Sequence, residues 1–516
     1  MLGEILDVPH SHRIVLGFNI PEIDQLNVER LCMRLTKRPT STSSYVQVTH
    51  DQIGKLPDEI LCSIISLLTV REAATTSILS SRWRHLWKRT LNLNFDIRNK
   101  CGEFYPKSKF VGPDREQLSQ EAMREFVLWV DQLLHLYHGS KIETFRVSHP
   151  LSKEYACQID EWIQFAVNRK VQNIDLDLSN PYPFFAKYNL YSFPCQLFTE
   201  GRYSSLKHLS LTNCNLSMPL GYCEFKSLLS LTLNKINLLP ESLQVLLSGC
   251  ISLEWLSLGS CNCPSRLTIV SPYLKHLSTS SCPSLKEIEI FSINLISYEL
   301  EDELLKLSLK HAPSKIVRFA LLHIPINGLN YTLGGLASDH PHLESLVLCS
   351  HATMGENNLL PNQLPTFTKL KHLILSLMSL SAEPVSILEF TSLLEAAPFL
   401  QKFELQVDVY MNTTGDENFE RKKSRRPHDH LKEVVISGFQ CDAGQLWFAI
   451  YLLNNAISLE KMELISAMEI YETDGECTTY INNFKMPTKR IRKLLRKEAP
   501  SNCTAKILIR DGRYSI

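Results

Sequence analysis

One spacing recurs through most of this chain: an aliphatic residue, a second three positions later and a third two positions after that. The copies begin at Ile142, Val171, Leu206, Leu228, Leu253, Leu274, Leu285, Leu343, Leu370, Leu400, Leu431 and Leu459. Most neighbouring copies lie 21 to 35 residues apart. A unit of this length holds one short strand and a return segment, and its leucines become buried only when the next unit stacks on it. The spacing therefore predicts an α/β solenoid on a curved parallel β-sheet, with helices and turns on the convex side.

The period is irregular, as in an irregular leucine-rich repeat. Between Ser271 and Pro313 patterns start only 9 to 11 residues apart, which is too short for a helix on each return. Turns or extended chain are expected there, and helices are expected after Ile316, where the period lengthens to about 27 to 31 residues. The alternative is a doubly wound α/β domain, which also alternates strands and helices but has longer apolar strands and fewer uniform copies.

Residues on either side of the central leucine point away from the core, because side chains alternate along a strand. They are expected on an exposed concave face that is mostly polar but also includes Val347 and Ile374. Trp255, His208 and His276 are the candidate target-binding residues on this face. Trp255 is its one large aromatic residue and a plausible interface anchor; cover by a loop is the alternative.

Composition narrows the functional classes. The chain is 44% apolar and 21% charged with a net charge of zero, which argues against disorder and general polyanion binding. Its fifteen cysteines lack paired spacings, and no secretory leader opens the sequence, so a reduced compartment is expected, the cytoplasm and/or the nucleus. No apolar run approaches the roughly 18 residues of a membrane helix.

Residues 51–96 predict three short helices. Pro57, Asp58 and Glu59 suit a helix start, where proline loses no hydrogen bond and carboxylates oppose the positive helix end. Helical spacing then relates two apolar sets, which are Pro57, Ile60, Leu61, Ile64 and Leu68, and after the cap Ser80, Leu79, Trp83, Leu86 and Trp87. So short a segment rarely builds a sufficient core, which favours a docking module. A helical hairpin within a larger core is the alternative.

Four motifs in this segment resemble the F-box of plant proteins. They are Leu56-Pro57-Asp58-Glu59, Arg71-Glu72-Ala73, Leu79-Ser80-Ser81-Arg82-Trp83 and Leu86-Trp87. The sequence departs from the family at Leu68-Thr69, where Phe-Pro is common. The resemblance implies binding to a Skp-family adaptor and, through it, to a cullin-based ubiquitin ligase. The adaptor-binding residues expected from it are Leu56, Pro57, Ile60, Leu61, Ile64, Leu79, Trp83, Leu86 and Trp87.

Residues 421–516 resemble the FBD region that follows the repeats of many plant F-box proteins, through His428-Asp429-His430-Leu431, Leu453-Asn454-Asn455-Ala456 and Leu459-Glu460-Lys461-Met462. The resemblance implies a strand, a helix and a strand that complete the solenoid, at Leu431–Ser437, Leu446–Asn455 and Leu459–Ile465. The predicted domains are an extension (1–50), an F-box (51–97), a linker (98–130), the repeat solenoid (131–420) and the FBD-like region (421–516). The F-box is expected to be a separate module joined through Arg98–Gln120.

No catalytic residue, metal or cofactor is predicted. The strongest metal candidate is the set Cys261, Cys263, His276 and Cys282, but Cys-x-Cys is not the usual zinc spacing. His428, Asp429 and His430 are interpreted as a turn into a strand. The basic runs Arg421–Arg426 and Lys489–Lys497 are interpreted as a solvated loop and helix face; nuclear entry and nucleic-acid binding are the alternatives.

These patterns together predict a non-catalytic subunit of an SCF-type E3 ubiquitin ligase. In this hypothesis the F-box docks to the adaptor and the repeats select an unknown target protein for ubiquitination. The alternative is a binding scaffold that uses the same repeats without assembling a ligase. The sequence predicts no membrane partner.

Overall fold

A computed structural model describes residues 53–96, 115–179, 189–198, 205–216, 225–237, 239–301, 306–309, 316–325, 333, 336–352, 364–379, 385–386, 388–408, 411–412, 427–471, 477–480 and 486–510. The predicted extension, most of the predicted connection Arg98–Gln120 and the basic run Arg421–Arg426 lie outside these residues. The chain forms two compact units, Met1–Cys250 and Ile251–Ile516, here called the first and second units.

The first unit begins with the three short helices that the sequence predicts: α1 (Asp58–Ile65), α2 (Val70–Thr75) and α3 (Trp83–Leu86). Three-residue 3-10 turns precede α1 and follow α2 and α3. Thr69, in the position where the F-box family commonly has proline, caps α2. Its hydroxyl accepts from the Glu72 N–H, and the Glu72 carboxylate accepts from the Thr69 N–H in return.

Five parallel strands of the first unit pair in register, and three helices lie between or after them. The strands of this ladder are β1 (Asn92–Asp96), β2 (Thr144–Ser148), β3 (Asn173–Asp177), β5 (His208–Thr212) and β7 (Ser230–Asn234). The helices are α4 (Arg115–Leu136), α5 (Ala156–Asn168) and α6 (Pro240–Gly249). A smaller parallel pair joins β4 (Ser192–Phe193) and β6 (Asn215–Leu216).

The second unit starts with the short repeats. Strands β8 (Trp255–Gly259), β10 (His276–Ser280), β12 (Ser297–Glu301) and β14 (Arg318–Pro325) begin every 21 residues. The return segments hold β9 (Arg266–Ile269), β11 (Glu287–Ile290) and β13 (Lys306–Leu309), which form a separate parallel sheet. The prediction of extended chain in place of helices is confirmed.

The ladder continues with longer repeats to the C-terminal end of the described residues. Its further strands are β15 (Ser345–Ala352), β16 (His372–Ser379), β18 (Lys402–Asp408), β20 (Glu433–Ser437), β21 (Lys461–Ile465) and β24 (Lys506–Arg510). Beside it lie the parallel pair β17 (Val385–Ser386) and β19 (Met411–Asn412), and an antiparallel hairpin of β22 (Met468–Tyr471) and β23 (Cys477–Tyr480). Its helices are α7 (Leu388–Ala396), α8 (Ala443–Asn455) and α9 (Thr488–Glu498).

The repeat leucines form the core of both units, as the spacing predicts. Leu211 in the first unit and Leu256 and Leu346 in the second are fully buried. The predicted strand, helix and strand of the FBD-like region are β20, α8 and β21, and they continue the same ladder. The repeat fold and its register are therefore confirmed.

Candidate docking and recognition surfaces

Arg82 ties the two ends of the helical module (residues 53–91) together. Its Nε donates to the Asp58 carboxylate at 2.7 Å, and its Nη2 donates to the Leu56 carbonyl at 2.6 Å. The start of α1 is thereby fixed to the residue that precedes α3. This contact explains why the Leu-Pro-Asp-Glu and Arg-Trp motifs occur together, since each supplies one side of it.

Several residues that the sequence assigns to adaptor contact lie instead in the module's own core. Leu61 is 0% exposed and Trp83 8%, and Leu86 and Trp87 are also buried. Helical spacing placed them on an apolar stripe, but the side chains of three short helices fill the space between those helices first. These four residues shape the module and do not offer a surface to a partner.

The remaining assigned residues are accessible, and further apolar side chains join them. Pro57, Ile60, Ile64 and Leu79 are exposed and Leu56 is half-buried. The other exposed apolar side chains of the module are Ile53, Leu67, Leu68 and Ile78. Ile60, Ile64 and Leu67 follow helical spacing, so Leu67 was identifiable from the sequence. The module therefore has a complete core and, in addition, an apolar surface that nothing in the described chain covers.

The module is hydrogen-bonded to the first ladder. Ser66 accepts from the Thr90 hydroxyl at 3.0 Å and from the Leu91 N–H at 2.9 Å. The Glu143 N–H donates to the Leu91 carbonyl, and β1 begins at the next residue. The separate module expected from the sequence is thus continuous with the sheet, and α4 occupies much of the predicted linker.

The outer face of the first ladder, opposite its leucine core, carries only polar and charged residues. They are Asn92, Asn94, Asp96, Thr144, Arg146, Ser148, Asn173, Asp175, Asp177, His208, Ser210, Thr212, Ser230, Thr232 and Asn234. Arg146 Nε lies 3.1 Å from the Asp175 carboxylate. Burial nevertheless raises the pKa of Asp175, although Arg146 acts to lower it.

The three candidate target-binding residues divide between the units. His208 is exposed on β5 in the first unit. Trp255 and His276 lie side by side in register on β8 and β10, with ring centroids 4.9 Å apart and both rings half-buried. Burial lowers the pKa of His276, which favours the neutral ring against the indole. The structure thus brings Trp255 and His276 together.

The outer face of the second unit departs from the exposed surface expected from the sequence. Ser257 and Ser278 are buried, and so are Val347 and Ile374. The latter two belong to a buried apolar cluster with Tyr471, which comes from the hairpin β22–β23. Strand alternation gave the correct direction of these side chains, but the cover comes from a distant part of the chain.

The candidate metal residues have other partners. The Cys261 thiol donates to the Gly259 carbonyl, and Cys263 and Cys282 sulfurs lie 3.8 Å apart. That thiol contact is the largest cause of the raised pKa of Cys263. His428 is buried with Nε2 3.1 Å from the Tyr451 hydroxyl. Among the residues that the structure describes, no group of His, Cys, Asp or Glu has an arrangement suited to a metal ion.

In α9 the basic run is mostly solvated. Lys489, Arg490, Lys493, Arg496 and Lys497 are exposed, while Ile491 and Leu495 are buried. The interpretation as a solvated helix face is confirmed. No described helix is long and apolar enough to span a membrane.

Fold and surface define a leucine-rich-repeat protein with an N-terminal helical docking module. Comparison with protein families agrees: the F-box domain matches residues 53–94, and the family described as "At1g61320/AtMIF1, LRR domain" matches residues 134–503. The chain belongs to the F-box/LRR-repeat family.

Similar proteins from Arabidopsis thaliana carry the same two domain names. F-box/LRR-repeat protein At3g03360 is 31% identical over 49% of this chain and 46% of its own length. F-box/LRR-repeat protein 25 is 31% identical over 48% of this chain and 78% of its own length, and F-box protein At5g03100 is 30% identical over 46% and 63%. The chain spans about half the length of several relatives that it matches.

Proposed function

We propose that this protein is the substrate-recognition subunit of a cullin-based SCF-type E3 ubiquitin ligase. The observation that carries the proposal is the apolar surface left on the helical module after its core is complete. Leu67 is 78% exposed and Leu79 63%, and Ile60, Ile64 and Ile78 are also exposed. A small module that is already folded gains nothing from such side chains unless a partner covers them. The partner proposed is a Skp-family adaptor.

In this role the protein carries no chemistry of its own. The F-box holds the adaptor and, through it, the cullin, while the repeat strands hold an as yet unidentified target protein. The Trp255–His276 pair is the proposed target anchor, because a half-buried indole offers apolar area and a polar edge at one position. Assembly in the cytoplasm and/or the nucleus belongs to the same proposal.

The experiment replaces Ile60, Ile64 and Leu79 together with serine in the full chain and measures affinity for a purified plant Skp-family adaptor. Because the three side chains are exposed, the variant is expected to fold normally. Loss of central apolar contacts of this kind costs about 2 kcal/mol or more, which is about a 30-fold loss of affinity.

The matched control replaces three exposed apolar residues outside the module, Leu239, Ile251 and Ile457, with serine. Its adaptor affinity should equal that of the wild type. Equal affinity in both triple variants would overturn the proposed docking surface. Adaptor binding without co-purification of a cullin would favour the ligase-independent scaffold instead.

A further inference from the structure

Strands β14, β15 and β16 carry apolar side chains on the outer face, where the first ladder is polar. Ala320, Val347 and Ile374 are direct neighbours across the three strands. Leu322 and Cys349 lie two residues further along their own strands. All five are at most 7% exposed, although they are on the opposite face from the leucine core. These strands are therefore buried on both faces, and some part of the molecule must cover the second one.

The cover is Tyr471, the last residue of β22. It is 2% exposed and belongs to the same apolar cluster. Its backbone N–H donates to the Gln406 side-chain carbonyl at 3.1 Å. Arg318 donates to its hydroxyl, and the guanidinium carbon lies 5.6 Å from the ring centroid. The ring thus lies on an apolar floor with a hydrogen-bond donor placed at the phenol oxygen.

This arrangement has the features of a site for a phenol side chain. The floor comes from three parallel strands that pair with one another independently of the hairpin. A tyrosine ring combines large apolar area with few rotatable bonds, which is why tyrosine is frequent at protein interfaces. The donor Arg318 distinguishes tyrosine from phenylalanine, because a ring without a hydroxyl leaves the guanidinium without that acceptor.

The site is continuous with the proposed target anchor. His276, Ser297 and Arg318 occupy equivalent positions on β10, β12 and β14. Neighbouring strands are about 4.8 Å apart, so Arg318 lies about 10 Å along the sheet from His276. A bound segment that filled the site would also reach the Trp255–His276 pair.

We propose that Arg318, Ala320, Leu322, Val347, Ile374 and Gln406 form a tyrosine-binding pocket. Tyr471 fills the pocket in cis, and a tyrosine-bearing segment of the target protein takes its place. The inference rests on the proposed function of the repeats as a target receptor. A tethered side chain acts at an effective concentration in the millimolar range, so a target displaces it only by adding contacts elsewhere on the sheet. The hairpin thereby excludes ligands that offer a tyrosine alone.

The test removes the cis occupant and offers the missing group as a free molecule. Tyr471→Ala should lower the Tm of the full chain, and 4-methylphenol, which matches the lost side chain, should restore about 2 to 4 °C at millimolar concentration. Toluene, which lacks the hydroxyl, should restore less. Neither compound should stabilise the wild type, whose pocket is filled. Tyr273→Ala, at an exposed tyrosine, is the matched control and should gain nothing.

A failure of 4-methylphenol to stabilise Tyr471→Ala more than Tyr273→Ala would overturn the pocket. If Tyr471→Ala does not fold, Tyr471→Phe retains the ring and loses only the contact with Arg318. In that variant N-acetyl-tyrosinamide should raise hydrogen exchange in residues 468–471, and N-acetyl-phenylalaninamide should raise it less. Equal exchange with both compounds would also overturn the proposal.

Adaptor affinity measured on the same variants separates this inference from the proposed function. Because the F-box lies in the first unit, both Tyr471 variants should bind the adaptor as the wild type does. Phenol rescue without adaptor binding would reject the ligase role and leave the pocket standing. Adaptor binding without phenol rescue would reject the pocket alone.

Discussion

The first ladder and strands β14–β16 share one repeat pattern but differ in what the outer face meets. In the first ladder all the outer residues are polar, and Thr232 at the middle of β7 is half-buried. Val347, at the middle of β15, is fully buried beneath Tyr471. The repeat thus fixes only the inner face. The outer face is left to vary, and its composition decides whether a strand displays a surface or becomes part of a second core.

The largest effect expected from this difference comes from a carboxylate introduced on each outer face. Val347→Asp should destabilise the protein by about 3 to 5 kcal/mol, because an unpaired charge is buried between the sheet and the hairpin. Thr232→Asp should change stability by about 0.5 kcal/mol or less, since water reaches that position. Urea denaturation measures both. Similar midpoints for the two variants would show that the faces are equally accessible.

On the inner faces the two regions should behave alike. Leu211→Ala in the first unit and Leu346→Ala in the second both remove fully buried side chains. Each should cost about 2 to 5 kcal/mol through the cavity that remains. The same denaturation experiment applies, and a small loss at either position would contradict the assigned strand register there.

Histidine titration should separate the buried second unit from the exposed face of the first. Burial lowers the pKa of His428 below its ordinary 6.5, even though Glu395 and Asp429 act to raise it. The folded state therefore binds fewer protons than the unfolded state, so its stability is full above about pH 6.5 and is lost as the pH falls through the lowered pKa. His428→Asn should weaken this acid dependence in denaturation midpoints between about pH 7.5 and pH 5.

His208→Asn is the control, because that ring is exposed on the first ladder. It should alter the acid dependence less than His428→Asn does. An acid dependence that is unchanged in His428→Asn would show that the buried ring does not resist protonation.

The smallest effects should come from exposed ion pairs in both units. Lys141 and Glu143 lie 3.5 Å apart in the first unit, and Lys432 and Glu460 lie 3.3 Å apart in the second. Water screens both pairs, so Glu143→Gln and Glu460→Gln should each change unfolding free energy by about 0.5 kcal/mol or less. A larger loss in one unit would mean that surface charge, and not outer-face burial, contributes to the difference.

Much of this fold follows from local sequence. The leucine spacing gives the strands and their inner face, and the 9-to-11-residue spacing gives the extended returns of the second unit. Strand composition also distinguishes the two outer faces: HLSLT in β5 alternates, whereas HLILSLMS in β16 is almost continuously apolar, as in strands buried on both sides. Taking Ile374 as exposed overlooked that second signal.

What covers the second face is not a local property. Arg318 and Tyr471 are 153 residues apart, and no periodicity links them. In the F-box, likewise, helical spacing identifies the apolar side chains but does not tell core from surface. Trp83 is buried and Leu79 is exposed because of how three short helices pack, and that packing depends on contacts such as the one between Arg82 and Asp58.

The distance between the tyrosine pocket and its occupant has a consequence during synthesis. Strand β16 ends at Ser379, so the ribosome must add 92 further residues (471 minus 379) before it delivers Tyr471. At about 5 to 20 residues per second, that interval lasts roughly 5 to 20 s. Throughout it the nascent chain carries a completed sheet with one uncovered greasy surface, the kind of surface that chaperones hold and that other unfinished chains adhere to. A message truncated before codon 471 would make that state permanent.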